Sequence, residues 1–143
     1  MSIWFTPITL EQLNQIQKNT VGEVLGIEFT AIGEDSLTAR MPVDHRTHQP
    51  AGLLHGGTSV VLAETLGSVA SYLTIDPQQF QCVGLEVNAN HLRSVRHGWV
   101  EGTCKPVHRG RTTHVWDIRI QDHEGRDICI SRLTVAVVPV DRI

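Results

Sequence analysis

The run from His55 to Leu73, HGGTSVVLAETLGSVASYL, sets the terms on which the rest of the chain must fold. Leu62, Leu66, Val69 and Leu73 recur at helical spacing, and Val60, Val61, Ala63 and Ala70 spread apolar surface around the other sides. A helix apolar on more than one side is enclosed rather than laid on a surface, so the remaining chain must wrap it. The helix is expected over roughly Gly57–Leu73, with Asp76-Pro77 beyond its end as a stop. Glycine, serine and Glu64 interrupt the run, which therefore does not read as a membrane span.

The flanking sequence supplies the wrapping. Thr9 followed by Gln12 forms a capping-box pattern that predicts a short helix over Leu10–Lys18. Gly26 to Val43 reads as two strands with a turn near Gly33-Glu34-Asp35, the second alternating through Leu37, Ala39, Met41 and Val43. Asp44 to Leu54 is polar, contains Pro50 and Gly52, and reads as a loop. Four further strands are expected over about Gln81–Asn90, Gly98–Val107, Thr112–Gln121 and Arg126–Val138, with a hairpin turn at Asp122-His123-Glu124-Gly125. The sum is an α+β domain covering 1–143, one long central helix wrapped by a mostly antiparallel sheet of about six strands.

Composition narrows the function classes. A hydrophobic content of 41% with 19% charged residues is that of a globular chain. A net charge of -3 gives no overall pull toward nucleic acid or an anionic membrane. Cys82, Cys104 and Cys129 are odd in number and lack CxxC spacing, which points to core thiols in a reducing, cytoplasmic setting. The N-terminus, MSIWFTPITLEQLN, has no basic region leading into an apolar core, so no signal peptide is expected.

Glu64 is the one group in the His55–Leu73 run sure to be charged at neutral pH. A carboxylate on an enclosed helix must be paired, hydrogen-bonded or put to use, and pairing with an arginine elsewhere is the structural alternative to a catalytic role. Ser68, four residues on, shares its face, with Gly57 two turns earlier in the same sector. A Ser68 hydroxyl there can hydrogen-bond the carboxylate or simply its own helix backbone. His55-Gly56-Gly57 opens the helix, where unpaired N–H groups and the helix dipole favour a developing oxyanion. His45, His48 and His55 match no standard zinc spacing, so no metal is expected. No G-x-S-x-G elbow and no G-x-x-x-x-G-K-[ST] loop occurs. The segment Arg93–Arg111 is locally basic, with Arg93, Arg96, Lys105, Arg109 and Arg111 opposed only by Glu101. Such a cluster suits phosphate, or is a solvated strand end.

HQPAGLLHGGTSVVLAETLGS, the Asn88–Arg93 segment and the His108-Arg109-Gly110-Arg111 turn together resemble the hot-dog fold acyl-CoA thioesterases. The resemblance runs from about Leu25 to Val138. It is to the branch with a helix glutamate, which includes phenylacetyl-CoA and 4-hydroxybenzoyl-CoA thioesterases, and most of all to the 1,4-dihydroxy-2-naphthoyl-CoA thioesterases of menaquinone synthesis. A near branch proofreads the aryl carrier protein of enterobactin synthesis. The resemblance implies Glu64 as nucleophile or general base, Gly56 as the oxyanion-hole N–H, Gln49 and His55 as groups that bind and polarise the thioester, and Ser68 as a support for Glu64 or the attacking water. It also implies that His91, Arg93, His108, Arg109 and Arg111 lie near the CoA nucleotide, and that no cofactor is needed beyond the substrate's own CoA. It further implies a homodimer pairing into a homotetramer, in which Gln49, His55 and Gly56 of one subunit face Glu64 of the other.

The chemistry agrees with the residues. A thiolate with a pKa of roughly 8.5 leaves without a strong general acid. One carboxylate and one oxyanion site can therefore suffice. Hydrolysis of an aromatic acyl-CoA is the leading expectation. An acyl group carried on a phosphopantetheinyl protein, a broad acyl-CoA range, and a non-catalytic acyl-CoA binder are the others.

Overall fold

The structure, a computed structural model, describes residues 1–142. Two short helices, α1 (Leu10–Gln15) and α2 (Val21–Leu25), precede strands β1 (Glu28–Ile32) and β2 (Leu37–Pro42). The long helix α3 (Gly56–Thr74) follows, then β3 (Phe80–His91), β4 (Trp99–Arg109), β5 (Thr113–Asp122) and β6 (Asp127–Pro139). The strands form one sheet in the order β1-β2-β4-β5-β6-β3, with every neighbouring pair antiparallel. The α+β class, the central helix and the six strands are those expected, with element ends shifted by a residue or two.

Alternation decides which strand faces meet the helix. Leu37, Ala39 and Met41 of β2, Trp116, Ile118 and Ile120 of β5, and Leu133, Val135 and Val137 of β6 are all buried. All of these except Val137 share one core with Leu62, Ala63, Leu66, Ala70 and Leu73 of α3, which packs against β2 through β6. Helix and sheet approach closely where side chains are missing. The position a Cβ would take on Gly67 lies 2.6 Å from Leu133 Cδ2, and that of Gly102 lies 2.9 Å from Leu66 Cδ1. Cys104 and Cys129 are buried in this core, while Cys82 is half-buried; burial pushes the Cys82 thiol up to about 11 and Cys104 up to about 12.

Three features depart from the sequence expectations. The first helix does keep its capping box, with the Gln12 N–H donating to Thr9 Oγ1 and the Thr9 N–H to Gln12 Oε1. It ends at Gln15, however, rather than reaching Lys18, because the chain turns through Asn19 at φ +62°. The turn opens α2, which is too short to show a period. Finally, α3 is enclosed on its sheet side only. Val61, Glu64, Thr65, Ser68 and Val69 are half-buried along an open cleft.

Strand β3, the first after α3, runs along the sheet edge opposite β1. It carries a bulge between Gly84 and Glu86 and leaves Val83 and Leu85 exposed.

Candidate active site

The loop before α3 is pinned at several points, which fixes the groups it presents. Thr47 Oγ1 donates to Pro42 O (2.7 Å), the His55 N–H donates to Thr47 O (2.8 Å), and the Leu54 N–H donates to Val95 O (2.8 Å). His48 Nε2 lies 2.8 Å from Arg96 O. Gln49 closes a turn by accepting the Gly52 N–H on its carbonyl (2.9 Å), and its side-chain Oε1 accepts the Ala51 N–H. That bond leaves the Gln49 side-chain NH₂ as the outward group, a donor.

His55 is the N-cap of α3. Its Nδ1 accepts the Gly57 N–H at 2.8 Å, so the neutral ring carries its proton on Nε2. The exposed edge of His55 is therefore also a donor. The Gly56 N–H donates to no acceptor among the described residues. A Cβ on Gly56 would stand 2.8 Å from His91 Nε2, so only glycine lets the His91 ring close over the helix start. Gln49, Gly56, Ser59, His91 and Arg93 line one cavity of about 380 Å³ at this end of the helix. Gln49 and Gly56 thus line one cavity at the positive end of a long helix, a setting that suits an oxyanion.

Glu64 lies elsewhere. Eight residues along α3 place it about 12 Å further down the axis and about 80° around it. Its cleft, of about 390 Å³, is lined by Val21, Val61, Glu64, Thr65, Ser68 and Val69. Among the described residues the Glu64 carboxylate joins no ion pair, so the arginine-paired alternative fails. Ser68 shares the cleft as its spacing requires, but no hydrogen bond links it to Glu64 among the described residues. What makes room for the carboxylate is Gly84 on β3, whose Cβ position lies 2.9 Å from Glu64 Oε2.

The basic residues divide between the two ends of α3. His91 and Arg93 stand with Gln49 and Gly56. Arg109 and Arg111 line a cavity of about 290 Å³ with Thr74, Asp76, Phe80 and His114, beyond the C-terminal end of the helix. His108 folds back over Gly110 beside them. His114 is buried, with Nδ1 3.0 Å from Ser71 Oγ, which also accepts the Trp116 indole N–H at 2.6 Å. Burial, with Arg109 and His108 nearby, holds the His114 pKa below its usual value.

Sequence reasoning missed Ser59, Gly84 and His114. Gly84 carried a usable signal, since glycine inside a strand pattern marks a bulge or a close approach. His114 carried none. It falls in phase with Trp116 and Ile118 on a strand that alternates regularly.

A family model described as the thioesterase superfamily matches residues 51–129. The 1,4-dihydroxy-2-naphthoyl-CoA hydrolase of Escherichia coli (strain K12) is 55% identical, over 95% of this chain and 99% of that one. The proofreading thioesterase EntH of Cronobacter turicensis is 54% identical, over 95% and 98%. The crystal structure of a glutamine-to-alanine mutant thioesterase from Pseudomonas aeruginosa has a TM-score of 0.95 at 61% identity, covering 97% of this chain and all 100% of that one.

Proposed function

The chain belongs to the thioesterase superfamily, with its hot-dog fold, and we propose that it hydrolyses aromatic acyl-CoA thioesters with Glu64 as the reacting carboxylate. The observation that carries the reading is the unpaired Glu64, standing in a half-buried cleft of a thioesterase whose helix start holds an uncommitted Gly56 N–H. The thioester oxygen would sit on the Gly56 N–H and the Gln49 side-chain NH₂, with His55 Nε2–H as a further donor. Glu64 either attacks the carbonyl carbon to give a mixed anhydride or takes a proton from water as the water attacks. In both routes the C–S bond breaks and CoA leaves as the thiolate, protonated from solvent; in the first, water then cleaves the anhydride to release the acid and restore Glu64, and in the second the acid is released directly.

One chain does not bring Glu64 to Gly56, and this supports a site completed between two subunits. The exposed Val83 and Leu85 on the β3 edge suit pairing with a second copy. Pairing of such dimers into a tetramer follows the family resemblance. No cofactor is required beyond the CoA of the substrate, and the basic clusters at His91/Arg93 and at His108/Arg109/Arg111 are suited to its phosphates. No described helix is long and apolar enough to cross a membrane. The odd count of three cysteines, without CxxC spacing, supports the cytoplasmic location that we propose.

For the acyl group we propose 1,4-dihydroxy-2-naphthoate, supported by the 55% identity to the Escherichia coli hydrolase, and, following the family resemblance, a role in menaquinone synthesis. The second reading is removal of wrong acyl groups from an aryl carrier protein. It is supported almost equally, by the 54% and 53% identities to two Cronobacter proofreading thioesterases. Steady-state kcat/KM on matched naphthoyl-CoA and naphthoyl-carrier substrates separates them. Glu64→Gln is expected to fold normally and lose most of its kcat on either carrier; near wild-type turnover would sink the assignment.

A further inference from the structure

The cleft beside Glu64 has two walls. Val61, Thr65, Ser68 and Val69 of α3 form one, and among the described residues that line the cleft Val21, the first residue of α2, comes from another element, while Gly84 of β3 leaves room for the carboxylate itself. We propose that Val21 determines specificity: its side chain is the far wall of the acyl site and sets how large an acyl group reaches Glu64. The inference rests on the assignment of the chemistry to Glu64.

Three observations carry it. First, α2 buries Gly22 and Leu25 and turns its two valines outward, Val21 at 56% and Val24 at 67% exposure. An apolar residue so exposed beside a reactive carboxylate gains surface to bury when an apolar acyl group enters.

Second, α2 is clamped. Thr20 Oγ1 accepts the Gly22 N–H (3.2 Å), the Ile27 N–H donates to Gly22 O (2.8 Å), and the Gly26 N–H donates to Glu23 O (3.0 Å). Gly26 caps the helix at φ +76° with Arg46 and Pro42 packed where a side chain would stand. A change in the size of residue 21 therefore changes the width of the cleft and is not absorbed by the backbone. Third, the cleft sets Val21, Val61 and Val69 against Glu64, Thr65 and Ser68, the mixed lining expected where an apolar group must lie against a polar reacting centre.

Val24 provides the control, since it shares the helix and is more exposed but does not line the cleft. The test is kcat/KM of the full-length enzyme and of Val21→Ala, Val21→Trp and Val24→Trp on acetyl-, hexanoyl-, benzoyl- and 2-naphthoyl-CoA. Val21→Trp is expected to lower the naphthoyl-to-acetyl ratio by about tenfold or more, the scale on which pocket volume discriminates. Val21→Ala should raise that ratio, and Val24→Trp should leave it unchanged. A Val21→Ala ratio equal to wild type overturns the proposal, and so does a Val24→Trp shift as large as that of Val21→Trp. Should Val21→Trp fail to fold by circular dichroism, the Val21→Ala ratio decides alone. An active Glu64→Gln would instead remove the underlying assignment, whatever the Val21 variants do.

Discussion

Oε2 of Glu64 lies 2.9 Å from the point where a Cβ would stand on Gly84, at the bulge of the edge strand β3. Among the described residues no other atom comes within 4 Å of that point apart from the glycine's own neighbours, so the space there is taken by the carboxylate. A methyl group there would displace the end of a flexible side chain rather than any core atom. Gly84→Ala is therefore expected to shift stability by no more than about 0.5 kcal/mol, the range of surface changes. It should nevertheless lower kcat at least tenfold with little change in KM, because a small misplacement of a reacting group is costly. Thermal melting beside steady-state kinetics checks this, and a fully active Gly84→Ala enzyme would refute it.

Glu64 and Gly56 lie in separate cavities of one chain, which makes subunit sharing testable by mixing. Glu64→Gln and Gln49→Ala should each be nearly inactive alone. Unfolded together and refolded, half of the dimers would be hybrids, and each hybrid would own one intact site. Activity should then return to about a quarter of wild type if the two-fold assembly shares its sites. No recovery, in a mixture shown by mass spectrometry to contain hybrids, would mean that each chain works alone.

How much of this was legible follows from range. The long helix, the strand alternation and the capping box are local patterns, and each appears where the residues put it. The face shared by Glu64 and Ser68 was legible for the same reason. Helix α2 was not, because a five-residue helix has no period and is held by contacts that span the loop before α3, such as Arg46 against Gly26. Nor was the division of the basic residues. Arg93 and Arg109 belong to one basic segment, yet β4 carries the chain from one end of α3 to the other between them. The orientations of Gln49 and His55 depend on the N–H groups of Ala51 and Gly57, which only a folded loop presents.

Ser71 is fully buried and serves two neighbours, accepting the Trp116 indole N–H and pairing with His114 Nδ1. Ser71→Ala leaves both without that partner in a place water does not reach. The expected cost is about 1–3 kcal/mol for each buried group left unsatisfied, read as a lowered urea midpoint with an unchanged m-value. The serine faces the core rather than the Glu64 cleft, so kcat per folded molecule should stay near wild type. A variant as stable as the parent would show that the network adds no stability.

His114 makes stability depend on pH in a definite direction. Burial first, then the charges of Arg109 and His108, lower its pKa below the usual 6.5, so the folded protein favours the neutral ring. Between 6.5 and the lowered folded value, the unfolded chain binds a proton that the folded chain refuses. Stability from this group is therefore complete above pH 6.5 and is lost as pH falls below it, at no more than about 1.4 kcal/mol per pH unit for one proton. His114→Gln keeps a hydrogen-bonding side chain beside Ser71 without a group that titrates. Between pH 7.5 and 5.5, wild type should lose more Tm than His114→Gln, and the two curves should converge as the pH falls. Parallel curves would mean that His114 titrates alike in both states and that its burial carries no electrostatic penalty.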